Sequence, residues 1–193
     1  MAQRILILQG HPDPAGGHLD HALADAYRDG AEQAGRPVET LTIAQRNFPL
    51  LHSQAEFLDE TVPPAILEAQ EAIQAADHLV LIYPLWLGDM PALVKGFLEQ
   101  VFRPAFVAEG GMSRPRHTRL RGRSVRIVVT MGMPALAYRW FYRAHSLKSL
   151  ERNVFRFCGF GPVRHTLIGL NGGNATARQR WLEKMRRLGH QAR

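Results

Sequence analysis

The segment Gly10-His11-Pro12-Asp13-Pro14-Ala15-Gly16-Gly17-His18-Leu19-Asp20 brings two imidazoles, two carboxylates and three glycines into eleven residues. An apolar run, Ile5-Leu6-Ile7-Leu8, precedes it, and a stretch with helical spacing follows. Backbone amides in such a loop, with a helix N-terminus behind them, form an anion site of the kind a phosphate group needs. A plain strand-to-helix connection has the same outline. His18 and His21 share one helical face with Asp20 nearby, yet no third ligand is assured, so we assign no metal site.

The second chemically suggestive stretch is Tyr83-Pro84-Leu85-Trp86-Leu87-Gly88-Asp89-Met90-Pro91-Ala92, continuing through Lys95-Gly96 to Val101-Phe102. An aromatic just beyond a central strand is suited to packing near a flat ligand ring, and the bland alternative is a cap on the core. Several other chemistries are missing. Gly159-Phe160-Gly161 precedes a strand, whereas a dinucleotide fingerprint follows one, and no P-loop, zinc-protease helix or Gly-x-Ser-x-Gly elbow is present. Cys158, the single cysteine, sits among Phe155, Phe157 and Phe160, as a buried structural thiol does.

The elements that must position these residues alternate. Strands are expected at Ile5–Leu8, Val38–Ile43, His78–Tyr83, Val125–Thr130 and Val163–Ile168. Helices are expected at Leu19–Ala34, from Pro63/Pro64 through Ala76, at Pro91–Phe102 and at Asn174–Leu188. Strands alternating with helices imply right-handed crossovers and a doubly wound parallel sheet. Five strands favour the order 2-1-3-4-5, with a ligand beyond the carboxyl ends of strands one and three. The loop Ala105–Gly122 is the longest stretch without a periodic pattern. No repeat or linker divides the chain, so residues 1–193 are expected to form one α/β domain.

Composition narrows the class. The 193 residues are 46% apolar and 21% charged, which suits a globular fold. No apolar run is long enough for membrane insertion, and the start carries no secretory pattern, so a cytoplasmic protein is expected. The 24 basic and 17 acidic residues leave +7, with basic residues gathered at Arg114–Arg126 and Arg178–Arg193. Such charge steers anionic ligands. No recognition motif accompanies it, so no specific nucleic-acid partner is expected.

On these residues the chain resembles the NAD(P)H:quinone oxidoreductases. The resemblance rests on Pro84–Val101 and on His11-Pro12, Thr130-x-Gly132 and Phe157-Cys158-Gly159, and it covers nearly the whole sequence. It implies a flavodoxin-like fold, non-covalent FMN or FAD, NAD(P)H as co-substrate, and ping-pong two-electron reduction of quinones or similar acceptors. It also implies a homodimer whose sites borrow residues from the partner. By the same resemblance, His11, His18, Leu19 and Asp20 would hold the phosphate-bearing part of the flavin. Pro84, Leu85, Trp86 and Leu87, with Thr130, Met131, Gly132 and Met133, would flank the isoalloxazine. Tyr138 and His145 would be the catalytic donors at its pyrimidine edge. The sequence departs from the family at His18, where a Ser is usual, at Met131 and Met133, which replace small polar residues, and by one inserted residue before His145. Two other functions share this fold: a flavodoxin-type electron carrier, which is typically acidic, and an ancillary subunit of a membrane ion-efflux system.

Overall fold

The computed structural model describes residues 3–108 and 118–193. Strands β1 (Ile5–Gln9), β2 (Val38–Thr42), β3 (His78–Pro84), β4 (Ser124–Thr130) and β5 (Val163–Ile168) form one parallel sheet in the order β2-β1-β3-β4-β5. Every residue of β1 and β3 is buried. That is why Ile5–Leu8 and Leu79–Tyr83 are unbroken apolar runs, as in parallel strands covered on both faces.

Alternation along the strands divides the core in two. Ile5, Ile7, Val80, Ile82 and Val128 pack against α1 (Leu19–Gln33) and α7 (Ala175–Gln191). Leu6, Leu8, Leu79, Leu81, Ile127 and Val129 pack against α3 (Pro64–Ala75) and α4 (Ala92–Val101). Proline opens α3, and the Asn174 side chain caps α7 by accepting the Ala177 N–H at 2.9 Å. α1 and α7 touch backbone to backbone. A Cβ at Gly30 would fall 1.9 Å from the Arg186 carbonyl oxygen, and one at Gly189 would fall 2.0 Å from that of Tyr27.

The expected strands and the four expected helices are present, with boundaries differing by up to three residues. Several further helical stretches were not expected. α2 (Gln54–Leu58) and α5 (Pro104–Val107) are too brief to show a period. Residues 137–156 are helical in pieces: a π-helical segment at Ala137–Phe141, α6 (His145–Ser149) and a second π-helical segment at Leu150–Arg156. Between the first two, Arg143 and Ala144 adopt left-handed conformations at φ of 53° and 49°, which breaks the helical spacing. Of the loop expected at Ala105–Gly122, α5 takes the start and Ala108 bridges Thr118, while residues 109–117, with Met112 and Arg114, lie outside the described residues. Cys158 is buried, and burial pushes its thiol up to about 12, as expected of a structural cysteine. No helix among the described residues is long and apolar enough to cross a membrane.

Two buried ionisable groups sit at opposite ends of the sheet. His78, at the start of β3, stacks on Tyr27 and shares a 2.7 Å hydrogen bond with Ser124. Burial, with the Arg126, Arg164 and Arg36 charges, pushes its imidazole down to about 4. Asp20, in the first turn of α1, accepts the Thr130 hydroxyl at 2.9 and 3.1 Å, which ties that helix to the end of β4. Burial outweighs this bond and raises the carboxyl to about 6.

The two groups tilt stability in opposite directions with pH. His78 is folded as a neutral ring, so its contribution is present above 6.5 and lost as pH falls toward 4. Asp20 is favoured protonated, so its contribution is present below 3.8 and lost as pH rises through 6. Each swing is on the order of 3 kcal/mol, and in the parent protein the two largely offset. His78→Asn should therefore gain on the parent in urea melts as pH drops from 7 to 4.5. Asp20→Asn should gain on it as pH rises from 4 to 7. Variant and parent curves that stay parallel would show that neither group titrates differently on folding.

Candidate functional site

Because all five strands run the same way, the segments leaving β1, β3 and β4 emerge along one edge of the sheet. Main-chain bonds carry the sheet's order out into them. The Gly10 N–H donates to the Ile82 carbonyl at 2.7 Å, and the Leu85 N–H to the Thr130 carbonyl at 2.7 Å. A side chain at Gly10 has no room, since a Cβ there would approach the Ile82 carbonyl oxygen to 2.9 Å.

The loop after β1 folds on its own polar groups. The Asp13 carboxylate accepts the Ala15 N–H at 2.9 Å and meets the His18 ring at 2.8 Å, while the Asp13 N–H donates to His11 Nδ1 at 3.1 Å. His11 is nine-tenths buried and stacks on His18 with ring centres 3.8 Å apart. His21, one turn into α1, lies 5.4 Å from His11 and 5.8 Å from His18, ring centre to ring centre. Burial and the neighbouring imidazoles push His11 and His21 below the ordinary histidine range. Gly16 and Gly17 take left-handed conformations, at φ of 82° and 79°, with open space beside them. Among the described residues the N–H groups of Gly16, Gly17, His18 and Leu19 have no partner. The His18 side chain does not cap α1, although His18 is the residue before its first turn. Free amides aimed from a helix start are a receptor for an anion.

The segment after β3 is a tight turn. Trp86 and Asp89 exchange both backbone hydrogen bonds, at 2.8 and 2.9 Å, and Leu87 and Gly88 complete the bend at φ of 49° and 84°. Two successive positive φ values make a type I′ turn, which suits glycine and strains leucine. Trp86 is 51% exposed, so it is not a cap on the core, and the Leu87 side chain is fully exposed. Trp86 meets His11 edge-on at 6.4 Å.

After β4 the four candidate positions separate by role. Thr130 gives its hydroxyl to Asp20 and its carbonyl to Leu85. Met131 is buried, and its N–H and C=O are engaged by Ile168 and Asn171. Gly132 is exposed and Met133 half-buried; among the described residues neither amide has a partner. Gly132 and Met133 are thus the two left open to a ligand, while Thr130 and Met131 hold the loop in place.

Tyr138 and His145 meet at a cavity of about 420 Å³ lined by Leu87, Gly88, Met133, Tyr138, Tyr142, His145 and Ser146. The Tyr138 hydroxyl is buried, bonded to Ser146 Oγ at 2.8 Å, and accepts the Leu147 N–H at 3.2 Å. It thereby anchors the start of α6, whose first residue is the exposed His145. His21 entered the sequence reading only beside His18, as a metal pair that was not assigned, and Tyr142, Ser146 and Gly88 at this cavity were overlooked. Their only signal was adjacency to the residues it did select. No group of three His, Cys, Asp or Glu among the described residues is disposed to hold a metal ion.

Comparison with known proteins gives this edge a context. The chain is 27% identical over 170 residues, 85% of its length and 82% of the relative's, to a Haemophilus influenzae protein named as an uncharacterized NAD(P)H oxidoreductase. Its structure resembles an NAD(P)H:quinone oxidoreductase from Methanothermobacter marburgensis, with a TM-score of 0.82, 24% identity and coverage of 98% and 96% of the two chains. It also resembles an FMN-dependent NADH-azoreductase from Bacillus anthracis solved with FMN, with a TM-score of 0.72, 13% identity and 98% of each chain covered. The sequence profile described as flavodoxin-like fold matches residues 3–189, and with the parallel 2-1-3-4-5 sheet this establishes that the chain belongs to the flavodoxin-like fold family.

Proposed function

We propose that this protein is a flavin-dependent NAD(P)H oxidoreductase that reduces quinones or similar small electrophilic acceptors. The observation that carries this reading is the meeting, on one sheet edge, of an amide-lined loop fit for a phosphate and an apolar-walled cavity fit for a flat ring. The relatives' names agree with it. A bound flavin supplies hydride chemistry that the side chains lack.

The residues present suit such a group. The open amides of 16–19 and the start of α1 would hold its phosphate, with His11 and His18 beside them. Trp86, Leu87, Gly132 and Met133 would wall its ring and exclude water, on a frame held by Pro84, Leu85, Thr130 and Met131. The free Gly132 and Met133 amides and the His145 ring are donors that can hold negative charge at the ring's edge. Tyr138 acts through the Ser146 and Leu147 bonds, as a positioning residue for His145. A homodimer belongs to the same reading. It is supported by the exposed Trp140, Phe141 and Phe157, and by an apolar cavity between Leu98, Phe102, Val107 and Phe157 that a second copy would cover.

The purified protein should carry the visible absorption of a flavin, release FMN or FAD to mass spectrometry, and consume NADH or NADPH only when a quinone is added. A colourless protein that does none of these even after incubation with FMN and FAD overturns the proposal. Trp86→Ala should weaken flavin retention with the fold intact. In single-turnover stopped flow, His145→Gln should slow flavin reduction roughly tenfold, below the loss seen in a rigid oxyanion hole because the loop amides share the charge. Tyr138→Phe should lower stability by about 1 kcal/mol and slow the same step less. Equal rates for His145→Gln and the parent would assign the charge to the amides alone. Sedimentation should give a dimer, and a fully active monomer would count against the shared-site arrangement.

A further inference from the structure

Three imidazoles packed together are an unusual lining for a site that holds an anion, since each repels the others when protonated. His11 accepts the Asp13 N–H at Nδ1, so its neutral ring carries the proton on Nε2, ready to donate. Both ring nitrogens of His21 are buried, and neither makes a well-formed hydrogen bond among the described residues, the Asp13 main chain being the polar group beside them. Buried polar atoms of that kind call for an explanation. The charged groups facing the cluster are Asp13 from the loop and Asp20 and Asp25 from α1. From the β3 side it meets the uncharged Trp86, and from β4 Thr130 reaches it only through Asp20.

We propose that His11, His18 and His21 together form a proton-loaded receptor for the flavin's phosphate, with His21 as a binding-site residue and with about one proton drawn from solvent as the phosphate dianion binds. The inference rests on the flavin reading. Without the dianion, burial and the neighbouring imidazoles hold His11 and His21 below the ordinary histidine range. A dianion held beside the rings would favour their protonated form, the proton being taken up as H⁺ with no bond otherwise made or broken. The amides of residues 16–19 carry the rest of the anion's charge. Flavin affinity then falls as pH rises, even above 7, where FMN's own phosphate, with a second pKa of about 6, is already a dianion.

The test uses the full chain freed of flavin and titrated with FMN between pH 6.5 and 8.5, with calorimetry at pH 7.5 in two buffers of different ionisation heat. Uptake of about one proton per FMN is expected, with Kd weakening by up to tenfold per pH unit. Riboflavin, which lacks the phosphate, should bind without either effect. His21→Gln and His18→Ser should each reduce the uptake and flatten the pH profile. Tight FMN binding with equal heats in both buffers and a flat Kd overturns the inference and leaves the flavin reading standing. Uptake that vanishes only in Asp20→Asn also overturns it, because the proton then goes to the carboxyl. If neither FMN nor riboflavin binds at any pH, the flavin reading itself falls and the inference falls with it.

Discussion

The rest of the molecule hangs on the parallel pairing of β1, β3 and β4, buried on both faces. In that setting no strand can slip by one residue without moving Ile5, Ile7 and Ile82 from one helical layer to the other. The register is therefore fixed by packing, and the strands' carboxyl ends are fixed with it. The bonds from Gly10 to Ile82 and from Leu85 to Thr130 extend that order past the last sheet residues. Three loops distant in sequence meet at one place because the main chain leaves them no other exit.

The same logic explains what could be read from the sequence. The buried strands were legible because burial on both faces writes itself as uninterrupted apolar runs. The loop ahead of α1 was legible because glycines and short polar side chains mark a turn that shows its amides. Trp86 could be read either way, and its exposure follows from the bend at Leu87 and Gly88, a backbone feature that a leucine does not announce. Residues 137–156 were not legible: π-helical turns and two left-handed residues scramble the spacing on which helical periodicity depends. Met131 and Tyr138 illustrate a different limit. Motif likeness put them beside a ligand, but which hydrogen bonds a residue makes depends on neighbours such as Ile168, Asn171 and Ser146, set by tertiary packing.

On the proposed function, the two halves of the candidate site would hold charge by different means. At the phosphate end the donors are open amides and imidazoles, in a loop that already supports one internal carboxylate, Asp13. At the ring end they are the Gly132 and Met133 amides and a single exposed imidazole. Amides cannot titrate, so they give a constant field, whereas histidines respond to their surroundings near neutrality. The protein's excess of basic residues adds a long-range attraction that these short-range donors do not depend on.

The glycine contacts between α1 and α7 have a consequence for biosynthesis. Gly30 and Gly189 let the two helices lie backbone to backbone, and α7 is made only after β5. The helix that follows the loop after β1 therefore lacks one wall until some 160 residues after Gly30 have been made. A nascent chain on the ribosome can pair β1 with β3 early, but α1 keeps an uncovered apolar flank until α7 docks. The interval before α7 docks is when this chain most needs a chaperone.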